Sequence, residues 1–387
     1  MRVGAIALAL VTLGLAIGCD GPDEPTAPTR SDRSTTTALD PVDVAAGPIQ
    51  RVRPPAESEL ATIDRDAGIA VTLRDNSVLW LFGDTAARLD DGTIDYFQIG
   101  TASWAPPHAP AVTDDIADPA TGAPVTFATP TSDFPTCPGP GQRAGMWPAS
   151  AVVQPVGERD RVIIWLHNIC LGADGSLTDE GMALAEWWYD PAAPPVERPV
   201  VATILVQRLF ADRSFGTAAV LGDDGDVYAY RCATPDDPAD AAGYGPCAVA
   251  RVPLADVADA SAYTVVEDDL ALPSGPTQPI PAGGFGVAHD PVIGAFVMAY
   301  SPWPGSTQVV DVRTAPSPLG PWSRPVTVGL DGCADRIGSR QFNCYAGGPQ
   351  PRFSTPGHLG LGYYDSSVST FPTRGAYTVT SVPWPNS

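Results

Sequence analysis

Beyond residue 60 the apolar residues of this chain fall into short runs of β-branched and aromatic side chains, separated by turn residues. In five places two such runs flank a short polar segment, which predicts five β-hairpins. The paired runs are 68–73 with 78–82, 149–156 with 161–168, 217–221 with 227–230, 285–288 with 296–300, and 352–353 with 359–364.

Further strand-like segments follow most of these hairpins, so each hairpin begins a larger repeated unit. The units start near Asp66, Trp147, Phe215, Gly284 and Tyr345, between 61 and 81 residues apart. Five units of four antiparallel strands predict an all-β chain folded as a five-bladed β-propeller. A β-sandwich is the competing interpretation, but it does not predict a fivefold recurrence. Five tryptophans inside the strands are expected to pack between blades: Trp80, Trp165, Trp187, Trp188 and Trp322.

The N-terminal segment predicts export. Arg2 precedes an uncharged stretch over 3–17 that is short for a membrane span, and Cys19 follows. This arrangement resembles a bacterial lipoprotein signal, which implies a signal peptide over 1–18, a lipid on Cys19 and an extracytoplasmic protein anchored to the cell membrane. Ordinary secretion with cleavage near Gly18 is the alternative. The stretch 19–55 is rich in Pro, Thr, Ser and Asp, which predicts a disordered tether before a propeller domain at 56–387.

Cysteine spacing fits an oxidising compartment. Six cysteines remain beyond Cys19, and the pairs Cys232–Cys247 and Cys333–Cys344 each enclose a short loop rich in Asp, Gly and Pro. Local pairing of these four leaves Cys137–Cys170 by elimination. A metal site is the rival interpretation, but there is no C-x-x-C and none of the four histidines has a zinc spacing. No metal and no cofactor are predicted.

Composition excludes several classes of function. All 22 positive side chains are arginine, and the absence of lysine excludes Schiff-base enzymes, P-loop proteins and serine–lysine hydrolases. The chain also has 44 acidic residues, so its formal net charge is -22, and it contains no run of basic residues. A nucleic-acid partner is therefore not expected, and a neutral substrate is favoured.

Three segments carry a resemblance to a known family: 79–85 (Leu-Trp-Leu-Phe-Gly-Asp-Thr), 146–150 (Met-Trp-Pro-Ala-Ser) and 313–323 with its Ser-Pro-Leu-Gly-Pro-Trp. They resemble bacterial five-bladed propellers, long catalogued as a domain of unknown function, that include endo-D-arabinanases acting on mycobacterial arabinan. The architecture is similar to that of the arabinanase, xylosidase and invertase clan. The resemblance covers roughly residues 60 to 382. It implies a glycoside hydrolase for furanose-rich polysaccharide, with catalytic aspartates at Asp66 and Asp84.

The residues themselves point to the same pair. Glycoside hydrolysis needs two carboxyl groups, one protonated and one ionised. Asp66 begins the first strand of the first hairpin and Asp84 ends the second. A three-residue loop at 74–76, with Asn76 left-handed, would place them directly opposite each other, whereas a loop of two or four residues would turn one away. Alternatively, Asp84 caps a turn and Asp66 only accepts backbone N–H bonds.

One feature argues against catalysis. Arabinanase-type propellers take further carboxylates from the opening strands of later blades. No acid occurs in the corresponding segments of this chain, which are 146–150, 213–216, 283–286 and 345–349. The histidine expected near Gly348 is also missing. A hydrolase would have to manage without that third group or take it from Asp64, Asp212 or a loop. A non-catalytic glycan-binding or scaffold propeller is therefore the second hypothesis.

Other residues near the expected channel mouth suit a neutral polysaccharide or oligosaccharide. Aromatic rings there can stack on sugar faces, and polar side chains can bind hydroxyl groups, although packing between blades is the alternative role for each ring. The aromatic candidates are Trp147, Phe215, Phe285 and Tyr345, and the polar candidates are Ser150, Arg213 and Gln350.

Overall fold

The computed structural model describes residues 44–55, 63–88, 94–118, 120–172, 176–211, 215–232, 247–273, 285–301, 309–330, 344–365 and 376–384. These residues form an all-β, five-bladed propeller whose antiparallel sheets contain four or five strands. The predicted fold class is confirmed. Within the described ranges there is no α-helix that could cross a membrane, and no group of three or more His, Cys, Asp or Glu side chains is placed to hold a metal ion.

The five blades follow one another along the chain, and each begins with its innermost strand. In blade 1, β3 (Asp64–Arg65) and β4 (Ile69–Thr72) both pair with β5 (Val78–Arg88), which continues to β6 (Ile94–Ala105) and β7 (Asp114–Asp115). Blade 2 contains β8 (Arg143–Val156), β9 (Arg159–Leu171), β10 (Leu177–Tyr189) and β11 (Thr203–Phe210).

Blade 3 contains β12 (Ala218–Leu221), β13 (Asp226–Cys232), β14 (Cys247–Pro253) and β15 (Thr264–Glu267). Blade 4 contains β16 (Phe285–Asp290), β17 (Ala295–Tyr300), β18 (Val309–Ala315) and β19 (Val326–Gly329). Blade 5 contains β20 (Cys344–Pro349), β21 (His358–Asp365) and β22 (Ala376–Pro383), with a strand from the start of the chain at its outer edge.

Two short N-terminal strands close the ring. β1 (Val44–Ala45) pairs in parallel with β19, and β2 (Ile49–Arg51) pairs antiparallel with β22 as the outermost strand of blade 5. The prediction that the tether extends to residue 55 is therefore wrong for 44–55, because backbone hydrogen bonds to the last two blades order this segment. The signal peptide, Cys19 and the remaining tether lie outside the described residues.

Apolar side chains fill the spaces between neighbouring blades. One cluster joins blades 1 and 2 around Leu79 and Ile164, and another joins blades 5 and 1 around Trp80 and Tyr377. Trp80, Trp165 and Trp187 are buried within strands as predicted. Trp322 is also buried, but it lies between β18 and β19 rather than inside a strand, and Trp188 is half-buried beneath the Arg159 guanidinium. Burial of such side chains is the main stabilising contribution to the ring.

The first four hairpins are confirmed, and the fifth differs from its prediction. The strand that pairs with β21 is β20, while Pro351–Phe353, predicted as part of a strand, forms a 3-10 helix. Pro351 explains the difference, because proline has no N–H for a sheet and its fixed φ suits the first position of a helical turn.

Two predicted disulfides are confirmed. Cys137 is bonded to Cys170 and Cys232 to Cys247. Cys344 is also disulfide-bonded. Cys333 lies outside the described residues, so its pairing with Cys344 stays a prediction.

Candidate active site

The register of the first hairpin places Asp66 opposite Asp84. Thr72 pairs with Val78 at one end of the ladder, and Arg65 pairs with Thr85 at the other, in a single continuous register. The loop is the expected three residues, with Asn76 in the left-handed region at φ 64°. The condition on which the carboxylate pair depended is thus fulfilled.

The backbone around Asp66 departs from a regular strand. Ala67 has a φ of 51°, which separates β3 from β4. The Asp66 N–H still donates to the Asp84 carbonyl (3.2 Å), but the Asp84 N–H donates instead to Asp66 Oδ1 (2.6 Å). A Cβ on Gly83 would lie 2.6 Å from that oxygen, so only glycine leaves room for the carboxylate. The local chain therefore fixes the Asp66 side chain beside Asp84.

Neighbouring blades donate one hydrogen bond to each of the two carboxyl groups. The indole N–H of Trp147, on β8 of blade 2, donates to Asp84 Oδ1 (2.8 Å). The hydroxyl of Tyr345, on β20 of blade 5, donates to Asp66 Oδ2 (2.7 Å). Both residues are half-buried, so part of their surface is open to solvent. Blades 5, 1 and 2 thus converge on one pair of acids. Asp66 lies at the innermost edge of blade 1, which lines the channel of a propeller, and Asp84 lies opposite it on β5.

The protonation of the two acids is linked. Burial and the negative charge of Asp66 raise the pKa of Asp84 to about 8, against the opposing effects of the Trp147 N–H and the Arg143 guanidinium. Burial also raises the pKa of Asp66, but hydrogen bonds from Tyr345 and from the Asp84 N–H oppose it. Because Asp66 accepts more hydrogen bonds, it is the better site for the negative charge. When the pair holds one proton, that proton therefore resides on Asp84.

Four predicted sugar contacts are instead part of the protein interior. Their side chains are buried and already have protein partners. Ser150 donates its hydroxyl to the Gly216 carbonyl (2.6 Å), and the Gln350 amide donates to the Tyr377 hydroxyl (3.0 Å). Phe215 packs edge-on against Phe210, and Phe285 packs edge-on against Tyr230. Arg213 lies outside the described residues, so its role stays a prediction.

Trp147 and Tyr345 were predicted to stack on sugar rings. In the structure each also donates a hydrogen bond to one of the two aspartates. Sequence reasoning missed Tyr364 on β21, whose hydroxyl donates to Asp64 Oδ1 (2.8 Å) and whose ring lies 4.9 Å from that of Tyr345. It also missed Arg143, an exposed residue that stacks over Phe97 at 5.5 Å. The only sequence signal for Tyr364 is its position at the end of a strand that pairs with an opening strand.

Comparison with known proteins adds information about the fold. No protein-family model matches the chain, and no curated protein matches its sequence. A structure described as a putative hydrolase from Bacteroides ovatus is 15% identical, with a TM-score of 0.55, over 82% of this chain and 85% of that one.

Two further structures are more distant. A family 43 arabinoxylan arabinofuranohydrolase from Bacillus subtilis, solved with cellotetraose, is 13% identical over 86% of this chain and 66% of that one, with a TM-score of 0.46. A family 117 glycoside hydrolase from Zobellia galactanivorans is 10% identical over 89% and 92%, with a TM-score of 0.41. The likeness to the Bacteroides ovatus structure concerns the fold alone.

Proposed function

We propose that this chain is a glycoside hydrolase acting on a neutral, furanose-rich polysaccharide of the arabinan type, with Asp66 and Asp84 as its carboxylate pair. The observation that carries the proposal is the pair itself: two carboxyl groups side by side on the first hairpin, where burial and the charge of Asp66 raise the pKa of Asp84 to about 8.

The two acids suit different steps of hydrolysis. Asp84 keeps its proton near neutral pH and can donate it to the glycosidic oxygen as the bond to the leaving sugar breaks. Hydrogen bonds from Tyr345 and from the Asp84 N–H favour the ionised form of Asp66, which can act on the anomeric centre as a nucleophile or through a water molecule. The ring of Trp147 is half-buried beside Asp84, where it can also contact a sugar face.

Charge and sequence resemblance support the substrate class. A net charge of -22 disfavours uronic-acid and phosphorylated polymers. The Phe-Gly-Asp-Thr segment that contains Asp84 is among those that resemble the family with endo-D-arabinanases.

We also propose that the protein works outside the cytoplasm, attached to the cell membrane by a lipid on Cys19. The sequence of residues 1–19 supports this location. The two disulfides are consistent with it, because disulfides persist in oxidising compartments.

A non-catalytic glycan-binding propeller is the second candidate. One observation favours it: both oxygens of Asp66 already accept hydrogen bonds from the protein. A carboxylate that serves only to join Tyr345 to the first hairpin would show the same contacts.

One experiment separates the two candidates. The purified chain is incubated with arabinan and a panel of neutral and acidic polysaccharides, beside Asp66→Asn and Asp84→Asn, and released sugars and binding are both measured. We expect cleavage of arabinan by the wild type and a loss of about 100-fold or more in each variant. Binding without cleavage by the wild type would favour the glycan-binding propeller.

A further inference from the structure

The boundary between blades 1 and 2 continues from the carboxylate pair to the start of β8. Because side chains alternate along a strand, Arg143, Gly145 and Trp147 share one side of β8. Trp147 donates to Asp84 on β5 at 2.8 Å. A Cβ on Gly145 would lie 2.8 Å from the Ile99 side chain on β6, so the two blades touch here without a gap. This side of β8 therefore faces blade 1.

Arg143 lies at the end of this row that is farthest from Trp147. Its guanidinium stacks over the Phe97 ring at 5.5 Å. Phe97 is two positions before Ile99 on β6, and Ile99 is the direct cross-strand partner of Asp84. The stacked guanidinium and Asp84 thus lie along the same boundary between the blades.

The guanidinium of Arg143 is available to a ligand. The residue is exposed, and within the described part of the chain no group accepts a hydrogen bond from it. Arg65 and Arg313, by contrast, are fully buried and bonded inside the protein. Stacking over Phe97 orients the plane of the guanidinium but leaves the N–H groups at its edge unused.

The backbone that carries Arg143 is held in place. Ala144, the next residue, pairs with Cys170 on β9. Cys170 is bonded to Cys137, in the segment that leads to Arg143. A side chain on a backbone fixed in this way loses less conformational freedom when it binds a ligand.

The two carboxyl groups give the site a direction. The proposed acid, Asp84, must lie beside the glycosidic oxygen and therefore on the side of the leaving sugar. Asp84 is bonded to Trp147 of blade 2, whereas Asp66 is bonded to Tyr345 of blade 5. Blade 2 thus borders the leaving-group side, and Arg143 lies on that side.

We propose that Arg143 is a substrate-binding residue for the leaving-group side of the glycan, where its guanidinium donates hydrogen bonds to neighbouring hydroxyl groups of a neutral sugar. A guanidinium presents its N–H donors in a fixed planar fork, which suits two acceptors on adjacent ring carbons. The inference rests on the proposed function, because it takes Asp84 as the acid. It adds the direction in which the glycan lies, with its leaving part over blade 2.

The first test compares two kinds of substrate. Linear arabino-oligosaccharides have a sugar as the leaving group, whereas 4-nitrophenyl arabinofuranosides of both anomers have an aryl group without sugar hydroxyls. In Arg143→Gln we expect kcat/KM to fall about tenfold for the oligosaccharides and to stay at the wild-type value for the aryl glycosides. Arg143→Lys should recover only part of the loss, because lysine lacks the planar fork. Arg208→Gln, at an exposed arginine on the outermost strand of blade 2, should match the wild type on both.

Three results would overturn the inference. Wild-type kcat/KM for the oligosaccharides in Arg143→Gln would show that Arg143 makes no contact with the substrate. An equal loss on both kinds of substrate would show that Arg143 acts through the charge of Asp84 instead. A loss confined to acidic polysaccharides would show that Arg143 recognises a charge rather than hydroxyl groups.

A binding measurement separates this inference from the proposed function, and it also decides the case in which no aryl glycoside is cleaved. Calorimetry compares arabino-oligosaccharide binding by Asp84→Asn with binding by Asp84→Asn/Arg143→Gln, and we expect about tenfold weaker binding by the double variant. If the wild type binds but cleaves nothing and this difference is found, the proposed function fails and the role of Arg143 stands. If oligosaccharides are cleaved but the two variants bind equally, only the inference on Arg143 fails. If the chain neither binds nor cleaves them, both fail.

Discussion

Trp147 donates its indole N–H to Oδ1 of Asp84 at 2.8 Å, across the boundary between blades 2 and 1. The bond stabilises the ionised form of Asp84, and it therefore lowers a pKa that burial raises. The same bond points the carboxyl group away from its own hairpin and toward the neighbouring blade. Trp147 thus lies beside Asp84 and also lowers the pKa of its carboxyl group.

Replacing this donor should shift the pH profile upward. In Trp147→Phe the ionised form of Asp84 loses a hydrogen bond, so Asp84 should keep its proton to higher pH. We expect the alkaline limb of the pH–rate profile for glycan cleavage to move to higher pH. Trp188→Phe is the matched control. Trp188 lies on β10 and packs beneath the Arg159 guanidinium, and no hydrogen bond joins it to Asp84 among the described residues. A profile that does not move in a folded Trp147→Phe would contradict the assignment of Asp84 as the acid.

The Tyr345 hydroxyl should control the opposite limb. Its hydrogen bond stabilises ionised Asp66, so Tyr345→Phe should raise the pKa of Asp66. If Asp66 acts ionised, the acid limb of the profile moves to higher pH and activity near pH 5 falls. Tyr228→Phe removes a comparable hydroxyl–carboxyl bond to Asp224 at 2.9 Å in blade 3 and should leave the profile as it is. Movement of the alkaline limb alone would reverse the roles of the two aspartates.

The raised pKa of Asp84 should make the protein less stable as pH rises. The folded chain binds this proton with a pKa of about 8, against an ordinary value of 3.8, so the stability from it is fully present below about pH 4 and is lost as pH rises through about 8. Asp84→Asn removes most of that dependence. We expect this variant to exceed wild type by about 1–3 kcal/mol in unfolding free energy at pH 8, measured by urea titration. Equal stability at pH 5 and pH 8 in wild type would show that the proton is not held.

The N-terminal strands should be needed for a closed ring. A chain that starts at residue 44 keeps β1 and β2, whereas one that starts at residue 56 loses both and exposes the backbone edge of β22. We expect the shorter chain to have a melting temperature lower by several degrees and to aggregate more readily. The two chains are compared by thermal unfolding and light scattering. Identical melting curves would show that the ring is stable without these strands.

The first hairpin shows what could be predicted from sequence. Its register follows from a short polar loop with an asparagine suited to positive φ, and these local features fix which residues oppose each other. The pairing of Asp66 with Asp84 was therefore predictable from the residues of the hairpin alone. The five-bladed architecture was also predictable, because strand-rich units recur along the chain.

Other features depend on contacts between distant residues. Ser150 and Gln350 resembled sugar-binding side chains, but which way an innermost side chain points depends on the neighbouring blade, and here both bond within the protein. The strands at 44–51 show little alternation of apolar and polar residues. They form because their backbone groups pair with residues more than 280 positions away. Hydrophobic periodicity contains no signal for such pairing.

The closure of the ring has a consequence for biosynthesis. Asp66 and Asp84 leave the ribosome early, but Tyr345 and Tyr364 belong to the final blade, whose sheet also takes in β2 from the start of the chain. A nascent chain that ends before residue 344 has both aspartates without either tyrosine, and its first and last blades cannot meet. The two aspartates are therefore synthesised before the tyrosines that bind one of them and its neighbour, so a prematurely terminated product would contain Asp66 and Asp84 without these hydrogen bonds.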